Sequence, residues 1–208
     1  MMAQLFFKYG TMNSSKSANL LMTAHNYESQ GKNVIIMTSV LDTRAGNAKV
    51  ESRVGLTADA MSIMPQDNVY ELYADYMEMS GYDPRDIACV LIDEAQFLTQ
   101  EQVEQIAYGI VDGEEIPVIC YGLKTDFQGH LFNGSKALFE LADKLEEIKT
   151  VCQFCNKKAT MNLRTVNGMP VYTGEQVQIG DQEYLSVCRH HWDTAPIFLS
   201  QPEESVHA

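Results

Sequence analysis

An α/β fold with a mainly parallel sheet is what this sequence predicts. Three observations carry the prediction: short continuous apolar runs of strand length, amphipathic helical segments alternating with them, and polar or glycine-containing breaks at each exchange. The runs Leu5-Phe6-Phe7, Val34 to Met37, Ile87 to Ile92 and Pro117 to Tyr121 lack the in–out alternation of a half-exposed strand. That is the pattern of parallel strands covered on both faces. Ser17 to Gln30 carries Leu20, Leu21, Ala24 and Tyr27 at helical spacing and stops at Gly31. Asp42 to Val54, polar and containing Asp42, Arg44 and Arg53, reads either as a loop able to close over a substrate or as an ordinary solvated connection. Asn68 to Met79 is helical with Val69, Leu72, Tyr73 and Tyr76 on one side, and Thr99 caps a helix that turns Val103, Ile106 and Ala107 inward. The run ending at Tyr121 breaks at Gly122 into a polar loop through Gly134, and Lys136 to Lys149 forms the last helix of the core. At Val151 the character changes to paired cysteines around a hairpin-like stretch with Gly168, Gly174 and Gly180. The expected division is therefore a core over 1–150, a small appendage over 151–193 and a tail over 194–208.

Composition narrows the partners. A formal charge of -13 and a pI near 4.7 argue against nucleic-acid backbone, which is tracked by basic surfaces. No apolar stretch approaches the length of about 18 residues that a membrane span needs, and Met1-Met2-Ala3-Gln4 lacks the basic start of a signal peptide. A soluble, cytoplasmic protein with no membrane partner is expected. The five cysteines are an odd number, and Cys89 and Cys120 sit in strand-like runs, so a disulfide framework fits poorly.

Gly10 to Ser17, Gly10-Thr11-Met12-Asn13-Ser14-Ser15-Lys16-Ser17, is a near-complete phosphate-binding loop at a strand-to-helix seam. Such a loop turns backbone N–H groups around the phosphates of ATP, sets a lysine cation (Lys16) against the transferring group and offers a hydroxyl (Ser17) to Mg2+. Ser15 stands where the pattern asks for glycine, adding a side chain where backbone approaches phosphate closely. A serine-rich turn with a helix cap would read the same way on this stretch alone. Asp93-Glu94, closing the buried run Ile87 to Ile92, supplies the complement: an aspartate to hold Mg2+ through water and a glutamate to take a proton from an attacking hydroxyl.

Cys152-x-x-Cys155 and Cys188-x-x-His191 have the spacing with which tight knuckles present ligands to a tetrahedral Zn2+. His190 competes with His191, and the three-residue offset from Cys188 favours His191. Four protein ligands make the site structural.

Together the phosphate loop, Asp93-Glu94-Ala95-Gln96-Phe97, Leu123 to Phe132 and the two knuckles resemble the thymidine kinases of the zinc-containing, tetrameric class, over nearly the whole chain. The resemblance implies a RecA-like phosphate-loop core with a small C-terminal zinc-binding lasso domain. It implies transfer of the ATP γ-phosphate to the 5′-hydroxyl of thymidine or deoxyuridine, Mg2+, structural Zn2+, feedback inhibition by thymidine triphosphate, and a homotetramer. By the same likeness Glu94 is the general base, Asp93 is associated with Mg2+, and Gln96 joins the nucleotide-binding set. Met12, Phe97, Leu123, Phe127 and Phe132 enclose sugar and base, Tyr184 is the lasso tyrosine, and Arg53 lies near the 5′-hydroxyl. The lasso Ile179-Gly180-Asp181-Gln182-Glu183-Tyr184 is one residue shorter than the common double-glycine form. A competing reading is a RecA-like ATPase or nucleotide-binding module whose zinc knuckle docks a protein. An enclosed aromatic loop over Leu123 to Phe132 suits a small nucleoside and would serve no purpose in such a module.

Overall fold

The computed structural model describes residues 2–40, 48–176 and 183–194. They fall into two compact units, neither continuous in sequence. Of the described residues, the first comprises 2–10, 14–40, 48–124 and 131–148; the second comprises 11–13, 125–130, 149–176 and 183–194.

The first unit is a sheet covered on both faces. Its strands are β1 (Leu5–Gly10), β2 (Asn33–Ser39), β3 (Ala48–Glu51), β4 (Thr57–Ile63), β5 (Ile87–Asp93), β6 (Val118–Leu123) and β7 (Lys144–Glu147). They run in the order β3-β4-β2-β5-β6-β1-β7, and all pairs are parallel except β3 with β4. Alternation along the central strands splits the core in two. Cys89 and Leu91 of β5 and Ile119 and Tyr121 of β6 pack with Leu20, Leu21 and Ala24 of helix α1 (Lys16–Glu28). Val90, Ile92, Val118 and Cys120 point the other way, into a cluster with Val69, Tyr73 and Met77 of α2 (Val69–Ser80), Val103 of α3 (Gln100–Glu104) and Ala137 and Leu138 of α4 (Asn133–Leu141). Two-sided burial is why these strands read as unbroken apolar runs. Thr99 caps α3 in a reciprocal box with Gln102, and the helix widens into a π-helical segment, Gln105–Gly113.

Three expectations need correction. Part of the stretch expected to be a polar loop, 42–54, forms β3, an edge strand that returns antiparallel on β4; residues 41–47, with Asp42 and Arg44, lie outside the described residues. The strand expected to break at Gly122 runs through Gly122 to Leu123, because both pair with β1. The final helix ends at Leu141 instead of Lys149. Lys144 to Glu147 is a parallel edge strand on β1, locked at its start by Asp143 Oδ2, which accepts from the Leu5 amide at 2.7 Å. A short, largely exposed run rich in Lys and Glu on a sheet edge reads like the polar face of a helix, and only the pairing distinguishes them.

The second unit holds a small antiparallel sheet in the order β10-β8-β9, from β8 (Met161–Val166), β9 (Met169–Val171) and β10 (Glu183–Val187), followed by α5 (Arg189–Asp193). Cys152, Leu163, Val187 and Cys188 form its core, with Phe154 and Trp192 packed against them.

Candidate functional site

In the first unit β1 delivers Gly10 into a place with no room for a side chain. A Cβ there would stand 2.8 Å from the Ile148 carbonyl and against Ser14, so glycine is required sterically. Ser15, at φ 60° and ψ 31°, is left-handed, which gives a second reason why the motif asks for glycine at this position. Helix α1 then starts at Lys16, and the Ser15 side chain makes no capping hydrogen bond to it; a helix N-terminus is suited to an anion.

Four charged or polar side chains converge beyond it. Ser17 Oγ donates to Asp93 Oδ2 at 2.7 Å. Asp93 is 4% exposed, and its other carboxylate oxygen has no hydrogen-bond partner among the described residues. Burial, reinforced by the Glu94 charge and opposed by the Ser17 hydrogen bond, pushes its carboxyl up to about 6. Lys16 is buried; desolvation lowers its ammonium, the charges of Glu94 and Asp93 raise it, and Arg53 lowers it again. Arg53 is itself exposed, on the turn between β3 and β4.

Glu94 is half-buried and left-handed, at φ 51°. A non-glycine residue in that conformation is strained, and such strain gathers at functional positions. Gln96, 1% exposed, donates its amide to the Glu94 carboxylate and accepts from the Leu123 amide at 2.9 Å. Ser135 Oγ donates to the Leu123 carbonyl at 2.6 Å, so both backbone groups of Leu123 are fixed. Phe97 and Phe132 meet edge to face at 5.7 Å.

Within the second unit the loop tip 11–13 has its own anchors. The Met12 amide donates to Asn162 Oδ1 at 2.8 Å, Asn162 Nδ2 donates to the Thr125 carbonyl at 2.8 Å, and Ser186 Oγ donates to the Met12 carbonyl. Phe127 is buried with the Arg164 guanidinium 4.0 Å above its ring centre. Tyr184, half-buried on β10, pairs across the sheet with Arg164. Val177 to Gly180 lie outside the described residues.

The four predicted zinc ligands also meet in this unit. Their donor atoms all lie within 4.8 Å of one another. Cys155 and Cys188 sulfurs are 3.9 Å apart, and His191 Nδ1 is 3.4 Å from both Cys152 and Cys188 sulfurs. A tetrahedral Zn2+ with ordinary bond lengths requires S–S edges of about 3.8 Å and S–N edges of about 3.5 Å, so the cluster fits the ion. All five cysteines are free, and Cys89 and Cys120 are buried in the sheet, where desolvation pushes the Cys89 thiol up to about 12 and the Cys120 thiol well above its ordinary value.

A family model described as thymidine kinase matches residues 3–192. The chain belongs to the thymidine kinase family. It is 55% identical over 192 residues to the thymidine kinase of Lactococcus lactis subsp. lactis, covering 92% of this chain and 97% of that protein. It is likewise 55% identical to the Enterococcus faecalis thymidine kinase and 53% identical to a Streptococcus pyogenes thymidine kinase, again over 92% of this chain and at least 95% of each relative. Membership in the thymidine kinase family therefore spans both compact units.

Several residues of this thymidine kinase family member were invisible to motif reading. Asn162 and Ser186 are polar positions on short strands, and nothing in their neighbours' spacing marks them as anchors of a segment some 150 residues away in sequence. Asp126 lies in what the sequence shows only as a polar loop, yet its Oδ1 accepts from the Gln128 and His130 amides at 2.8 and 2.9 Å. Among the described residues no helix is long and apolar enough to cross a membrane.

Proposed function

We propose that this chain transfers the γ-phosphoryl group of ATP to the 5′-hydroxyl of thymidine or deoxyuridine, releasing ADP and the nucleoside monophosphate. The observation that carries the reading is the cluster of Lys16, Ser17, Asp93 and Glu94, in which Gln96 ties the Glu94 carboxylate to the backbone of Leu123. Backbone amides of Gly10 to Ser17 and the start of α1 bind the phosphates, and Lys16 neutralises charge on the transferring group. Ser17 and Asp93 hold Mg2+, which when bound offsets the phosphate charge. Glu94 takes the 5′-hydroxyl proton as the oxygen attacks phosphorus. Gln96 keeps that carboxylate turned toward the residue whose side chain helps to enclose the nucleoside, together with Met12, Phe97, Phe127, Phe132 and Tyr184. Arg53 serves near the 5′-hydroxyl.

Cys152, Cys155, Cys188 and His191 hold Zn2+ with all four places filled by protein, so the ion supplies folding energy and no open coordination position. The reading extends to a cytoplasmic homotetramer inhibited by thymidine triphosphate and without nucleic-acid or membrane partners. ADP release is measured with ATP and Mg2+, with and without thymidine. Turnover that depends on thymidine is expected; equal ATP hydrolysis in its absence would replace the kinase by an ATPase or nucleotide-binding module.

A further inference from the structure

In the second unit the segment Tyr172 to Gln176 has almost no secondary structure of its own, yet side chains from elsewhere hold it at four points. Arg164 of β8 donates from Nη2 to the Thr173 carbonyl at 3.2 Å and from Nη1 to the Glu175 carbonyl at 3.3 Å. Gln128 Nε2 donates to the Tyr172 carbonyl at 3.2 Å, and Gln176 Nε2 donates to Asp126 Oδ2 at 2.9 Å. The same Arg164 guanidinium carbon lies over the Phe127 ring, 4.0 Å from its centre. One guanidinium thus contacts both the strap and the aromatic residue.

The way Arg164 is used is costly. It is 4% exposed, it meets no carboxylate among the described residues, and its Nε has no hydrogen-bond partner there. A buried cation that meets, among the described residues, two carbonyls and a ring is a poor choice for stability alone, where an apolar side chain of similar volume serves as well or better. Gly174 matches it: at φ +119° it occupies glycine's own conformational territory, and a Cβ there would stand 3.0 Å from Arg164 Nη2. Strap and arginine are shaped to each other.

We propose that Arg164 is a positioning residue for the nucleoside, latching the strap Tyr172 to Gln176 onto Phe127 so that both are ordered before the nucleoside arrives. The inference rests on the kinase reading, and it acts through Phe127 rather than through the reacting atoms. Arg164 is needed as a fork and a plane, not as a charge; lysine offers neither. Loss of the latch leaves the binding-competent arrangement only partly populated, which weakens apparent nucleoside affinity by that fraction and leaves phosphate binding alone.

The test compares Arg164→Lys and Gly174→Ala with the wild-type protein in its zinc-loaded form. Hydrogen exchange without nucleoside should speed up over Tyr172 to Gln176 in both variants. Emission of Trp192, the single tryptophan, should also shift, since its Nε1 donates to the Phe127 carbonyl at 2.9 Å. The KM for thymidine should rise about tenfold to thirtyfold, as expected when the ordered arrangement is populated only about a tenth to a thirtieth of the time, while the KM for ATP and the zinc content stay unchanged. The double variant should be no worse than the worse single one, because both break one latch. Equal rises in both KM values, or unaltered exchange over the strap, would overturn the proposal and leave Arg164 a structural residue. If the wild-type protein fails to phosphorylate thymidine, the kinase reading falls instead, and the exchange data still decide whether the latch exists.

Discussion

Replacing Asp93 by asparagine should stabilise the ligand-free protein in a pH-dependent way. Asp93 is 4% exposed, one of its oxygens lacks a hydrogen-bond partner among the described residues, and its carboxyl is pushed from the ordinary 3.8 up to about 6. A rise of about 2 pH units corresponds to about 3 kcal/mol of differential stability between the protonated and ionised forms. For a raised pKa the protonated carboxyl stabilises the fold. That contribution is fully present below the unfolded value near 3.8 and is lost as pH rises through about 6. Between pH 5 and pH 7.5 about half of it, on the order of 1.5 kcal/mol, should disappear from the wild-type protein and not from Asp93→Asn. Asparagine brings its own cost, a buried amide with one poorly satisfied end, but that cost does not vary with pH and cancels in the difference. Urea denaturation of both proteins, zinc-loaded and free of nucleotide and Mg2+, at pH 5, 6 and 7.5 measures the effect. A stability difference between the two that stays flat across this range refutes the burial argument, since Asp93 would then titrate like an exposed carboxyl.

Glu94→Gln should lower thymidine-dependent turnover by roughly 100 to 10,000-fold with nucleoside binding retained, as measured by steady-state kinetics and by equilibrium binding; near-normal turnover removes Glu94 as the base. Ser15→Gly relieves a left-handed non-glycine residue and should stabilise the protein by about 1 kcal/mol in thermal or urea unfolding while preserving or improving ATP affinity. If activity is abolished instead, the serine hydroxyl has a direct role. Cys155→Ser, or chelation, should remove one zinc per chain by metal analysis and weaken nucleoside binding more than ATP binding; carefully purified protein without zinc contradicts the structural-metal reading.

Much of this molecule is local and therefore legible in sequence. Continuous apolar runs declare doubly covered strands because the two faces of β5, Cys89 and Leu91 against Val90 and Ile92, each have a helix layer to meet. The phosphate loop and the two knuckles are legible because their chemistry needs fixed residue types at fixed short spacings, and Cys152, Cys155, Cys188 and His191 meet as the spacing requires. What sequence misassigned is what depends on pairing. Lys144 to Glu147 became an edge strand because β1 had an open side to receive it, and 48–51 became a strand because β4 offered a partner. Backbone handedness at Ser15 and Glu94 was equally hidden, since the residue names give no hint of a positive φ that the surrounding turn imposes. The positioning residues were decided wholly by tertiary structure: Gln96 between Glu94 and Leu123, Asn162 and Ser186 on Met12, Arg164 between Phe127 and the strap. Their work is done by hydrogen bonds to backbone groups distant in sequence, and such bonds constrain geometry without imposing any spacing that a sequence pattern can carry.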